Sequence, residues 1–499
     1  MQPWNESGSD PYSLSSNRQI CRECHRRQEF ELFMSTIAPS RFVAPVLAGP
    51  IPPPAPLPFI QYVKTIRRNF IAAIHEDVYR QGIVETKFIG LRIFTVNDPA
   101  GIRRVLLENA ANYPKAKIER RILGPGLGNG LITSEGETWR AHRRIMSPFF
   151  EPRAVERYAG VMTDAAEKLA GQWSSLRNGT TVDLSSTMMQ LTLDIISRSM
   201  FSSDSDGIVD LQRESSERYQ QAMMFGLLDL VPGAGAVWGL YKSRRGKAIL
   251  RAFDEAIHKL IAVRSADKSA SARNDLLDGL IRSRDQETGS AMSAADVRDQ
   301  VFTIFVAGNE TTALALMWTW YLLALHPEQE EMLHAELKSV LNGRAPTPAD
   351  IPNLPYTRMV FQESMRLYPP VHSLAWREAR QADEICGRRV PRGSIVSIVP
   401  WVLHRHHAFW KNPNCFDPER FSPAESAGRE RLAYLPFGFG PRICIGASFA
   451  MTEAVLILAT LAQRFRLRLA TGHHVEPQAL FTLRAKYGMW MTLKARGNR

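Results

Sequence analysis

Cysteine is scarce in this chain of 499 residues, with five at Cys21, Cys24, Cys386, Cys415 and Cys444. An odd number spread so widely argues against a disulfide framework and fits a reducing compartment. Lysine- or arginine-rich runs are also missing, although 62 Lys+Arg against 50 Asp+Glu leave a formal net charge of +12. Scattered cations argue against a nucleic-acid partner and fit an acidic protein partner. The first twenty residues lack the apolar core of an export signal. The apolar stretch from Phe42 to Ile60 holds seven prolines and cannot form a spanning helix. The chain therefore reads as soluble and cytoplasmic, without a transmembrane anchor. Gly124-Pro125-Gly126-Leu127-Gly128-Asn129-Gly130 has no G-x-G-x-x-G register, which excludes a dinucleotide fingerprint and leaves a mobile loop.

What is present is an ordinary globular composition, 44% hydrophobic and 22% charged, long enough to bury a large core. Residues 1–44 form a polar leader expected to be disordered, with Met34 as an alternative start. Within it Cys21-Arg22-Glu23-Cys24-His25 matches a c-type haem attachment signature. No export signal and no folded surroundings support that reading, so the match is taken as coincidence. Beyond the proline-rich lead-in, a helix is expected near Ile66 to Tyr79, then strands Thr86 to Ile89 and Leu91 to Val96 around Gly90. Asn97-Asp98-Pro99 caps another helix. Glu151 to Ile261 is mostly helical, broken at Val231-Pro232-Gly233-Ala234-Gly235, and offers no catalytic constellation.

Four stretches carry chemistry. Cys444 lies in Phe437-Gly438-Phe439-Gly440-Pro441-Arg442-Ile443-Cys444-Ile445-Gly446, just before an apolar helical segment from Ala447 to Phe465. A sulfur at a helix mouth meets unpaired N–H groups and is expected to be held as the thiolate, the form a haem iron binds. Gly440 and Gly446 would let a flat macrocycle lie close to the backbone, and Arg442 offers a forked cation for a propionate. A buried, inert cysteine is the bland alternative. Trp139 and Arg143, four residues apart, share a helix face as a second anion site.

Ser293-Ala294-Ala295-Asp296 is a capping box, and the pattern after it runs unbroken to His326, where Pro327 stops it. Such a helix spans about 48 Å at 1.5 Å per residue. Its apolar body contains Asn309-Glu310-Thr311-Thr312, which argues against a membrane span. Thr311 is placed to bond the carbonyl of Ala307 and open the helix, and Gly308 leaves room for a small ligand. Glu310 and Thr311 would then form a proton-delivery pair. In the helix from Pro355 to Leu367, Glu363 and Arg366 can pair, and Arg420 in Pro418-Glu419-Arg420-Phe421 is a third member of that cluster.

Taken together, these motifs resemble the cytochrome P-450 family of haem-thiolate monooxygenases over about residues 45 to 495. The Cys444 loop fits F-x-x-G-x-R-x-C-x-G at every fixed position, and Ala307 to Thr312, Glu363 to Arg366 and Pro418 to Phe421 follow the family's order. The resemblance implies a mainly α fold with small β-sheets, one haem domain over residues 45–499, and haem b with an axial cysteine thiolate. It implies Cys444 as iron ligand. Phe437, Gly440, Gly446, Ala307 and Gly308 would lie at the haem, with Trp139, Arg143, Arg377 and Arg442 as propionate contacts. Glu310 and Thr311 would be catalytic; Glu363, Arg366 and Arg420 become structural. The reaction implied is insertion of one atom of dioxygen into a lipophilic molecule, a fatty acid or terpenoid. The alternatives are a peroxygenase or isomerase without dioxygen, or a haem sensor without turnover. No flavin, nicotinamide or iron–sulfur pattern accompanies these motifs, so electrons are expected from a separate ferredoxin or flavodoxin, and the protein is expected to be a monomer. The loop before Trp139, Val371 to Ala375, Ala307 and Phe481-Thr482-Leu483 are the expected pocket linings.

Overall fold

Residues 46–497 are described by the computed structural model, apart from 89, 203–206, 209, 212–213, 216–217, 220–233 and 268–274. The chain divides into two units at Val46 and Leu47, and the elements described below belong to the second, Leu47–Arg499. The leader, with Met34 and the C-x-x-C-H motif, lies outside the described residues, as do Val231, Pro232 and Gly233.

The second unit is built on helices α1 (Phe59–Ile66), α2 (Lys117–Leu127), α3 (Gly136–Met146), α4 (Ala159–Ser174), α5 (Leu184–Phe201) and α6 (Ala234–Ala266). They are followed by α7 (Leu276–Arg282), α8 (Ala294–Leu325), α9 (Pro327–Leu341), α10 (Pro355–Leu367) and α11 (Ala447–Ala462). Strands are short. β1 (Ile83–Phe88) and β2 (Leu91–Val96) form a hairpin about Gly90, and β3 is Thr181–Asp183. β4 (Arg377–Glu378), β5 (Asp383–Ile385), β6 (Arg388–Val390) and β7 (Ile395–Ser397) come next, then β8 (Phe465–Leu469), β9 (Pro477–Ala479), β10 (Leu483–Ala485) and β11 (Trp490–Ala495). Among the described residues the largest sheet has the order β1-β2-β7-β4, with β2 and β7 parallel.

α8 is apolar on every side, so it needs protein on every side. It packs against α5, α10 and α11, and Phe302, Phe305, Trp318 and Trp320 are fully buried on it. The Ser293 hydroxyl accepts the Asp296 N–H at 3.1 Å while the Asp296 carboxylate takes the Ser293 N–H, which completes the capping box. By length and composition α8 could cross a bilayer, but 78% of its most apolar window is buried inside the fold.

Two expectations need correction. The helix expected from Ile66 to Tyr79 ends at Ile66 and continues only as 3-10 turns at Phe70–Ala73 and Glu76–Tyr79. Asn69 draws the chain out of the helix, because its amide donates to the Pro477 carbonyl at 2.8 Å and accepts from the Ala479 N–H at 2.9 Å. The expected loop at Gly124–Gly130 is helical as far as Leu127, with Pro125 inside α2. Tertiary bonds pin this last turn: the Tyr219 hydroxyl donates to the Leu123 carbonyl at 3.1 Å, and Arg298 donates to the Gly126 carbonyl at 2.7 Å.

Candidate active site

Local bonds close the Cys444 loop. The Cys444 N–H donates to the Phe437 carbonyl at 2.8 Å, and α11 starts at Ala447 with Gly446 as its cap. Gly440 has a φ of +73°, and a Cβ there would sit 2.2 Å from the Leu106 carbonyl oxygen. Backbone crowding at Leu106 therefore demands this glycine. Cys444 is accessible in a loop that packs protein around it. The surrounding protein pushes its pKa up, against the Gly446 N–H and the Arg143 charge that pull it down. A metal cation on the sulfur would favour the thiolate over this desolvation.

Arg143 lies at the sulfur loop. Its guanidinium donates to the Ile443 carbonyl at 2.9 Å beside Cys444, and it does not line the cavity at Trp139. That cavity, about 290 Å³, is bordered by Trp139, Glu135, Arg377 and Arg442. Arg442 lies 3.9 Å from the Trp139 ring centre, meets Glu135 at 2.6 Å and donates to the Ser134 carbonyl at 2.9 Å. Arg377, in β4, is buried, and its Nε has no hydrogen-bond partner among the described residues.

Lys115, which no motif singled out, completes this cluster. It is buried, donates to the Leu131 and Ile132 carbonyls, and bridges to Arg377 through the backbone. Burial and then Arg442 depress its pKa to about 7. Arg442 is likewise depressed to about 10, first by burial. Glu119, raised to about 7 by burial, accepts the Trp376 N–H at 2.6 Å. Three poorly hydrated cations, one with an orphaned N–H, fit a carboxylate-bearing group such as a haem.

On α8, four consecutive residues point four ways. Asn309 accepts the Thr192 hydroxyl at 2.7 Å and so ties α8 to α5. Glu310, buried, accepts the Thr482 hydroxyl at 2.7 Å and the Arg484 guanidinium at 2.5 Å. The Thr311 hydroxyl donates to the Ala307 carbonyl at 2.6 Å, as its spacing predicted, but α8 stays helical there, without the expected opening. Thr312 is buried within reach of Glu453 of α11. Adjacent helical residues do not face each other, so Glu310 and Thr311 are not side by side, a second correction to the expected pair. Val306, Ala307, Gly308 and Thr311 are the stretch of α8's middle left partly open, as is most of Phe437 to Ala447. The expected pocket linings meet nearby: the Leu483 N–H donates to the Pro370 carbonyl at 2.9 Å, and His372 reaches the Leu480 carbonyl at 2.9 Å.

On α10, Glu363 and Arg366 are fully buried and doubly bonded at 2.6 and 2.7 Å, with Arg420 at 3.4 Å from Glu363. Arg366 also donates to the carbonyls of His404, Pro413 and Cys415. The three expected structural residues are thus together. Of the residues not foreseen, Glu453 carried a usable signal, being the single charge in an otherwise apolar α11. Lys115 and Arg484 carried none.

A family model described as Cytochrome P450 matches residues 51–489. Cyclooctatin synthase of Streptomyces melanosporofaciens is 37% identical over 413 residues, 81% of this chain and 86% of that protein. Cyclooctat-9-en-7-ol 5-monooxygenase of the same organism is 34% identical over 84% of this chain and 90% of that protein. The crystal structure of the cytochrome P450DA heme domain superposes with a TM-score of 0.74 at 26% identity, covering 90% of this chain and 99% of that one.

Proposed function

We propose, since this chain belongs to the cytochrome P450 family and is a haem-thiolate monooxygenase of lipophilic small molecules, that Cys444 is the cysteine that holds its haem. Arg377, Arg442, Lys115 and Trp139 hold the propionates, with Arg143 steadying the loop beside the sulfur. The crowding of those three cations next to the Cys444 loop carries the assignment. Phe437, Gly440 and Gly446 shape the sulfur side, and Ala307 and Gly308 the opposite one. Haem, when bound, supplies activation of dioxygen and transfer of one oxygen atom to a C–H or C=C bond.

The chain's own part is to position substrate and move protons. Thr311 keeps a hydroxyl proton at the partly open face of α8, loosely committed to a carbonyl that already serves the helix. Glu310 is held as a carboxylate partner of Arg484, whose side chain is 37% exposed, so the buried carboxylate lies close to solvent, from which water can bring protons. Glu363, Arg366 and Arg420 brace the sulfur side.

The substrate we infer is a lipophilic terpenoid or fatty acid. The terpenoid arm is supported by the 5-monooxygenase relative, whose name describes oxygenation of an unsaturated alcohol. Electrons come from a separate acidic ferredoxin or flavodoxin that docks at the Cys444 face, favoured by the +12 charge. The oxygenase begins near residue 45 and works as an unanchored cytoplasmic monomer. The test is the reduced, carbon monoxide-bound spectrum of the haem-loaded protein. Its strongly red-shifted Soret band should vanish in Cys444→Ser, and persistence of the band would disprove the ligand assignment.

A further inference from the structure

Away from Cys444, a cleft of about 1170 Å³ opens between α2, α6 and the start of α8. Its walls carry Arg120 and Arg121 on α2 and Arg244, Lys247 and Arg251 on α6. All five are exposed, and none makes a side-chain ion pair or hydrogen bond among the described residues. Arg298 forms the floor, buried and lying 5.2 Å from the Phe302 ring centre. It engages two of the three carboxylates in the lining, Asp254 and, at 2.9 Å, Asp299. The cleft therefore holds six cations against three carboxylates, two of them already committed. Like charges gathered on facing helices are costly without an anion between them. A concavity of this size suits a small molecule better than a flat protein surface does.

The cleft also lies at one end of a ridge of α8. Asp299, Thr303, Ala307 and Thr311 follow at four-residue spacing, each neighbouring the next along a row that winds by about 40° per step. From Asp299 to Thr311 the distance along the helix is about 18 Å, at 1.5 Å per residue. This is the reach of a long apolar tail. The wall between is backbone alone: a Cβ on Gly128 would fall 2.0 Å from an Asp299 oxygen, and one on Gly130 1.9 Å from the Thr303 hydroxyl oxygen. The Asn129 N–H bond to Asp299, at 2.7 Å, and the Arg298 bond to the Gly126 carbonyl hold it in place. An anion that engages Arg298 competes with these contacts.

We propose that this cleft takes the oxyanion head group, carboxylate or phosphate, of an amphiphilic substrate whose apolar tail runs along α8 toward Thr311. The substrate role rests on the monooxygenase reading above; the anion site itself rests on the cleft.

The haem-loaded full chain would be titrated with dodecanoate, dodecyl phosphate and dodecanol, followed by calorimetry and by the haem spin state. An anionic head should improve affinity by about tenfold over the alcohol, roughly 1.4 kcal/mol. The better of the two anions identifies the head group. The double variant Arg121→Glu/Arg251→Glu should erase that preference and leave dodecanol binding unchanged, whereas Arg251→Lys should keep most of it. Equal affinity for all three ligands, or a preference untouched by the double variant, would overturn the proposal. So would a double variant that slows reduction by an acidic donor protein while keeping the preference, since the cleft would then belong to a protein partner. A missing thiolate-type spectrum would overturn the oxygenase reading, and with it the substrate role, whatever the calorimetry shows.

Discussion

Glu453 on α11 is buried within reach of the Thr312 hydroxyl on α8, near enough for that hydroxyl to favour the carboxylate, so the helix that starts at the Cys444 loop packs against the residue beside Thr311. Both side chains are buried. The contact joins the proposed sulfur side of the site to the proposed oxygen side without passing through any ligand. Its strength depends on the proton carried by Glu453.

Burial raises the Glu453 pKa to about 8, against a smaller opposing contribution from Thr312. The folded state therefore keeps a proton that the unfolded chain releases above about pH 4.5. Stability from this group is complete below that pH and is lost as pH rises toward about 8, by about 1.4 kcal/mol per pH unit within the window. We expect Glu453→Gln, which stays neutral, to remove this loss. Thermal unfolding of the haem-loaded protein should show the variant gaining on the wild type between pH 5 and pH 8. A constant difference between the two curves would contradict the assignment.

Thr311 and Arg484 should fail in the same way for different reasons. Thr311→Ala should leave haem binding intact and lower product formation by about a hundredfold, the low end for lost proton transfer, with electrons diverted to peroxide. Arg484→Ala removes the exposed partner of Glu310 and should raise peroxide yield to a smaller degree. Product formed per electron consumed, measured beside the carbon monoxide spectrum, checks both. Full coupling in Thr311→Ala would remove this residue from proton delivery.

Glu363→Ala strands a fully buried guanidinium. Removing one partner of such a pair costs about 3–5 kcal/mol. The three carbonyls that Arg366 keeps place the expected loss near the lower end. Denaturant melts would show this as a lower midpoint, together with easier haem loss. A midpoint within about 0.5 kcal/mol of wild type, the range of a neutral surface change, would mean that the pair braces nothing.

Much of the fold was legible because its signals are local. Ser293 and Asp296 are three residues apart, Ala307 and Thr311 four, Glu363 and Arg366 three, and each pair is bonded as its spacing implied. The hairpin about Gly90 and the cap at Asp98 were legible for the same reason. Readings failed where a distant partner decides. Asn69 leaves its helix for β9, more than 400 residues away, and the stretch around Pro125 is a helix whose last turn is pinned by Tyr219 and Arg298.

By itself, the sequence determined the Cys444 loop, the long apolar helix with Thr311 spaced to bond back to Ala307, and the three-residue spacing that lets Glu363 meet Arg366. These depend on residue order within a turn or two, which periodicity and capping encode directly. Only the tertiary structure decided that Arg377 and Arg442 border one cavity with Lys115 close enough to feel both charges, that Arg143 turns to Ile443, and that Glu310 faces Thr482 and Arg484 instead of Thr311. It also decided that the Cys444 thiol is pushed up by burial where the helix mouth alone would pull it down. Each of these outcomes is set by desolvation and by charges brought together from separate elements, quantities that exist only once the chain has closed on itself.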